Sequence, residues 1–106
     1  MTQYSRVVED DISPREKATR NEAYRKIINH FGIQSQLDKA REELEELDEA
    51  LRSYEVKRDP VNIAAEMADV MVMLNQLMII YNFSYSLLSA LMDYKIDRTL
   101  RRIEDE

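Results

Sequence analysis

Cysteine is absent from this chain of 106 residues, and so is tryptophan; glycine occurs once, at Gly32, and proline twice, at Pro14 and Pro60. Without cysteine there are no disulfides and no thiolate metal sites, which fits a reducing compartment, and a cytoplasmic location is expected. So few turn formers leave little means of building a sheet, whereas the abundant Leu, Ala, Glu, Met, Lys and Arg favour helix. The N-terminal MTQYSRVVEDD has no apolar core and does not read as a signal peptide. The longest apolar run, Val70 to Ile80, is interrupted by Asn75 and Gln76 and is short for a bilayer span, so no membrane is expected. A formal charge of −6 argues against binding a nucleic-acid polymer, which calls for a basic surface.

What is present reads as one all-α domain, a four-helix bundle-like subunit over residues 13–106 behind a loose arm at 1–12. Ser13 as N-cap, Pro14 in the first turn and Glu16 closing a capping box predict a first helix running to about His30. Gly32 then stops it. A second helix is expected from about Ile33 to Tyr54, with Leu37, Ala40, Leu44, Leu47 and Leu51 as its apolar stripe. Asp59 caps a third, from Pro60 to about Asn82, that is apolar nearly all round. A helix of that kind is buried on most sides, which one small subunit cannot achieve, so a homodimer or larger assembly is expected. A fourth helix, about Ser84 to Ile103, carries Leu87, Leu88, Leu91, Met92 and Ile96 and ends in basic turns with Lys95, Arg98, Arg101 and Arg102.

The third helix holds the most informative residues. Asn62, Glu66, Asp69 and Gln76 fall within a stripe roughly 80° wide on an otherwise apolar surface. Ordinary solvation of one polar strip is the plain reading of such a stripe. Two carboxylates one turn apart, however, repel each other and lose hydration, and a hard divalent cation with oxygen ligands compensates both effects. On the second helix, Glu42, Glu43, Glu45, Glu46, Asp48 and Glu49 nearly encircle the axis, as a solvated face does. Periodicity nominates Glu43 beside the leucine stripe and leaves its partner open between Glu46 and Asp48. Gln36 and Lys39 share the side of Glu43 and are placed to line the mouth of a pocket between helices two and three.

Taken together, Q-L-D-K-A-R-E-E-L-E-E-L (Gln36 to Leu47) and A-E-M-A-D-V (Ala65 to Val70) resemble the E-x-x-E, spacer, E-x-x-D signature of the MazG-like all-α nucleotide pyrophosphohydrolases. The similarity covers about Phe31 to Ile103 and includes a K-x-x-R pattern at Lys95 and Arg98. The resemblance implies hydrolysis of nucleoside triphosphates between the α and β phosphates, with Mg²⁺ or sometimes Mn²⁺, in subunits that pair into dimers or dimers of dimers. It implies Glu43, Glu46, Glu66 and Asp69 as metal ligands, or three of them with one glutamate orienting or deprotonating the attacking water instead. Gln36, Lys39, Lys95, Arg98 and Arg102 would then bind substrate, the cations holding phosphate oxygens. The chain lacks tryptophan; Tyr24, Phe31, Tyr54 and Tyr81 are candidate base platforms, though tyrosines on helices more often edge a core. His30 reads as a helix-terminal residue, and Met67, Met71, Met73 and Met78 as packing. A ferritin-like di-iron bundle fails for want of Glu-x-x-His pairs. The competing reading is a non-catalytic helical oligomerisation or adaptor module, which has no use for Glu66 and Asp69.

Overall fold

The computed structural model describes residues 14–106, and the side chains from residue 19 onward. The arm at 1–12, the expected cap Ser13 and the Glu16 side chain lie outside the described residues. Those residues form four helices and no strand: α1 (Pro14–Phe31), α2 (Ile33–Lys57), α3 (Pro60–Ile80) and α4 (Tyr85–Glu104). The all-α expectation holds. The α2 helix runs three residues past the expected end and α3 stops two residues short of it.

Each break has a local cause. At Gly32 the backbone takes φ 92° and ψ 155°. Its N–H donates to the Ile28 carbonyl at 2.8 Å, ending α1, while its own carbonyl accepts from the Gln36 N–H at 3.2 Å, starting α2. Side chains are essentially excluded from that backbone region. A Cβ placed there would meet nothing within 4 Å. Gly32→Ala is therefore expected to cost about 1–3 kcal/mol through backbone strain alone, to be measured by urea unfolding. Arg58, at φ 50°, closes α2 by donating its N–H to the Tyr54 carbonyl at 2.8 Å, with its guanidinium 5.6 Å from the Tyr54 ring centre. Asp59 caps α3 as expected, accepting the Asn62 N–H at 3.1 Å, and Pro60 occupies the first turn. Ser84 caps α4 in the same way, accepting the Leu87 N–H at 3.2 Å.

The short Arg58–Asp59 connection folds α3 back along α2 as an antiparallel pair, the most extensive packing in the subunit, with α1 lying against both. Their shared core is thin: Tyr24 and Ile28 from α1, Ala40 and Ala50 from α2, Val70 and Met73 from α3. The apolar stripe of α2 meets it along one edge only, with Ala40 buried and Leu37 and Leu47 half-buried. Buried on α2 are Gln36, Ala40, Glu43 and Ala50, whereas Leu44 and Leu51 are exposed. The face turned to α3 is thus offset by roughly 70° from the face richest in leucine. Two alanines let the helices approach closely, and that approach encloses Gln36 and Glu43.

Nor is α3 buried on most sides within the subunit. Met67, Met71, Val72 and Leu74 remain exposed. Taken whole, α3 is long and apolar enough to cross a membrane, a length that the Val70 to Ile80 run alone understates. It is nevertheless packed along α2, whose outer surface is densely charged, and charge of that kind is costly in a bilayer. No residue of α4 is buried, and the helix packs along none of the other three. The radius of gyration, 16.6 Å, correspondingly exceeds the about 13 Å of a compact domain of this length.

Candidate metal centre

Four carboxylates converge where α2 and α3 run side by side. Glu43, Glu46, Glu66 and Asp69 each offer an oxygen, and the four oxygens lie within 4.8 Å of one another. Glu43 and Glu46 are one turn apart on α2, as Glu66 and Asp69 are on α3, so antiparallel pairing brings the two pairs face to face. Asp48 is not part of the group. It is exposed and accepts from the Arg52 Nε at 2.8 Å, so the structure resolves in favour of Glu46 the choice that periodicity left open.

The donors suit a divalent ion. Opposite ligands of an octahedral Mg²⁺ lie about 4.2 Å apart, and those of the larger Ca²⁺ about 5 Å, so the observed spread is within reach of one ion. Glu43 is 6% exposed, and its Oε2 is buried with no hydrogen-bond partner. The Oε2 of Glu66 is buried and unpartnered in the same way. Buried carboxylate oxygens left unpaired are costly, and a bound cation removes the cost.

Charge crowding shows in the titration of two members. Glu46 is held above the usual carboxylate range, first by the neighbouring Glu43 carboxylate and then by loss of hydration, with Glu66 adding to it. Asp69 is also raised, first by burial and next by Glu43, with Lys39 partly opposing. In both, the folded protein keeps its proton to higher pH than the unfolded chain does. The resulting penalty is absent below the ordinary carboxylate range, grows as pH rises from there to the raised folded value, and is complete above it. In EDTA, Glu46→Gln should therefore gain stability over the parent as pH rises through that window. Paired thermal melts from about pH 4 to 7 check this, and a difference independent of pH would count against the crowding.

One cation of the chain already stands at the cluster. Lys39 Nζ lies 3.1 Å from Glu43 Oε1 and 3.7 Å from Glu42 Oε1. Its ammonium is held protonated above its ordinary value, first by the hydrogen bond to Glu43 and then by Glu42. Lys39 and Gln36 also line a groove of about 530 Å³ between α1, α2 and α3, with Ile27, Phe31, Glu42 and Met73. The pocket expected between helices two and three therefore has α1 as a third wall. Met73 is core packing as expected and also forms part of the groove wall. A larger groove, about 630 Å³, lies between α1 and the turn from α3 to α4, and none of the four acids lines either groove.

The remaining expected substrate ligands are elsewhere. Lys95, Arg98 and Arg102 are exposed on α4 and form no ion pair among the described residues. Because α4 packs along neither α2 nor α3, the subunit does not bring them to its own cluster. Compared with protein-family models, with curated proteins and with solved structures, the chain matches none.

Proposed function

We propose that the protein is a Mg²⁺-dependent nucleoside triphosphate pyrophosphohydrolase, releasing nucleoside monophosphate and pyrophosphate, and that it works as a homodimer or larger assembly. The observation that carries this reading is the convergence of four carboxylates from two helices, two of whose oxygens are buried without a partner. The doubled E-x-x-E and E-x-x-D pattern, in the register that makes them converge, agrees with the resemblance to the MazG-like enzymes.

Glu43, Glu46, Glu66 and Asp69 would hold the ion. Bound there, a divalent metal neutralises polyphosphate charge, polarises phosphorus and lowers the pKa of a coordinated water. The chain's own groups supply the rest. One of the glutamates would orient or deprotonate the attacking water in place of holding the ion. Lys39, beside Glu43 at the edge of the groove, is placed to meet a phosphate oxygen once the metal replaces it as the counter-ion of Glu43.

The test is pyrophosphate release from a panel of ribo- and deoxyribonucleoside triphosphates in Mg²⁺, Mn²⁺ and EDTA, beside a Glu66→Ala control. Metal-dependent release with matching monophosphate, lost in the control, is the expected result. One observation favours a non-catalytic assembly module instead, namely the apolar surface left open on α2, α3 and α4. Such a module would tolerate alanine at both Glu66 and Asp69 and release no pyrophosphate.

A further inference from the structure

The larger groove, between α1 and the turn joining α3 to α4, stands apart from the acidic cluster. Asn75, Met78 and Ile79 face it from α3, roughly 160° around that helix from Glu66 and Asp69. Its lining is basic although the chain carries a net charge of −6. Arg20 and Arg25 line it and no Asp or Glu does. Neither arginine forms an ion pair among the described residues.

On α1 the two arginines flank Asn21 and Tyr24 along one face. They stand about 7.5 Å apart along the axis, a separation over which two long side chains can close on one group. Tyr24 is 7% exposed; its hydroxyl accepts from Asn75 Nδ2 at 3.4 Å, and its own proton has no acceptor among the described residues. A hydroxyl is both donor and acceptor, so this one is left to donate to a group from outside. Across the groove, Ser84 caps α4 and Tyr85 opens its first turn, and the positive end of that 20-residue helix adds to the two guanidinia. Met78, Ile79 and Phe83, all half-buried, supply an apolar wall.

We propose that this groove binds a small organic phosphate, a monoester whose dianion sits between Arg20 and Arg25 and whose carbon body lies against Met78, Ile79 and Phe83. Charge distinguishes the ligand. Two guanidinia with no counter-charge beside them match a dianion, where a carboxylate brings one charge, and the guanidinium fork suits phosphate oxygens. Tyr24 donates to one of those oxygens. The groove's volume falls within the about 300–1,000 Å³ of small-molecule pockets. A ligand seated there joins α1 to the first turn of α4, the helix that packs along none of the others.

The experiment titrates phenyl phosphate, benzoate and inorganic phosphate in turn into the protein, by calorimetry in EDTA at about pH 8, where the monoester is a dianion. EDTA keeps divalent ions off the acidic cluster, so the outcome is independent of the hydrolase reading. The parent is expected to bind a single phenyl phosphate per chain, more tightly than either of the other two anions. Arg20→Gln and Arg25→Gln, both at exposed positions, should each weaken that binding about ten-fold or more, as loss of a charge-assisted hydrogen bond does, with the circular dichroism unchanged. Arg41→Gln removes the same charge at an exposed position of α2 outside the groove, and should leave the affinity as in the parent. The proposal is overturned by a parent that does not bind phenyl phosphate, or that binds benzoate or inorganic phosphate equally well. Affinity that survives both groove substitutions, or falls as far in Arg41→Gln, overturns it too.

Discussion

Replacing Glu66 or Asp69 by alanine is expected to abolish metal-dependent pyrophosphate release while leaving the helical content intact. Each residue supplies one of only four carboxylates in the cluster. Losing a direct ligand should cost more than the about 10–100-fold that follows loss of an outer-shell partner. Stability should move the other way. Without metal, Glu66 holds a buried carboxylate oxygen with no partner. Removing a group of that kind relieves about 1–3 kcal/mol, so Glu66→Ala should melt higher than the parent in EDTA and lower than the parent in saturating Mg²⁺. Activity assays, circular dichroism and melts in the two buffers check the three parts together. Loss of fold in both variants, with no metal effect on the parent, would remove the basis for the site.

The second large effect concerns assembly. Met71 is 55% exposed in the subunit and stands on α3 with Met67 and Leu74 at helical spacing. Leu44 and Leu51 stand open on α2, and on α4 so do Met92, Ile96, Leu100 and Ile103. A surface of this kind is larger than the scattered apolar contacts of an ordinary monomer. The chain is therefore expected to sediment as a dimer or larger at micromolar concentration. Met71→Glu should then produce monomers and lower the melting temperature by several degrees. At a truly solvent-facing position the same change would stay within about 0.5 kcal/mol. A parent that sediments as a monomer and melts cooperatively, indifferent to Met71→Glu, would contradict this.

Much of the architecture is legible in the sequence because its stops are local. Gly32, Asp59 with Pro60, and Ser84 act within one turn of themselves, and each ends or begins a helix where its chemistry predicts. The orientation of α2 is not legible in this way. Its leucines mark the most apolar face, but the subunit turns Gln36, Ala40, Glu43 and Ala50 inward, and only packing against α3 decides between the two. The acidic cluster shows both sides. Like charges on an apolar helix single out Glu66 and Asp69, and helical spacing nominates Glu43. Helical spacing alone does not choose Glu46 over Asp48; the resemblance implies Glu46, and the structure places Glu46 with the other three acids while Asp48 pairs with Arg52. The groove was the least legible part, since its walls come from three helices and from residues of four chemical kinds. Lys95 and Arg98 illustrate a different limit. Their position on α4 is readable, but what they meet depends on a helix that the subunit leaves unpacked.

The most direct measurement is a thermal melt of the parent and of Glu66→Gln across a Mg²⁺ titration at neutral pH. Glutamine keeps the volume of the side chain and removes its charge. If Glu43, Glu46, Glu66 and Asp69 form a divalent-metal centre, the parent's melting temperature rises saturably with Mg²⁺, and Glu66→Gln starts higher in EDTA and gains little. Parallel responses in the two proteins, or no saturable response in the parent, would contradict the metal centre and the hydrolase reading built on it.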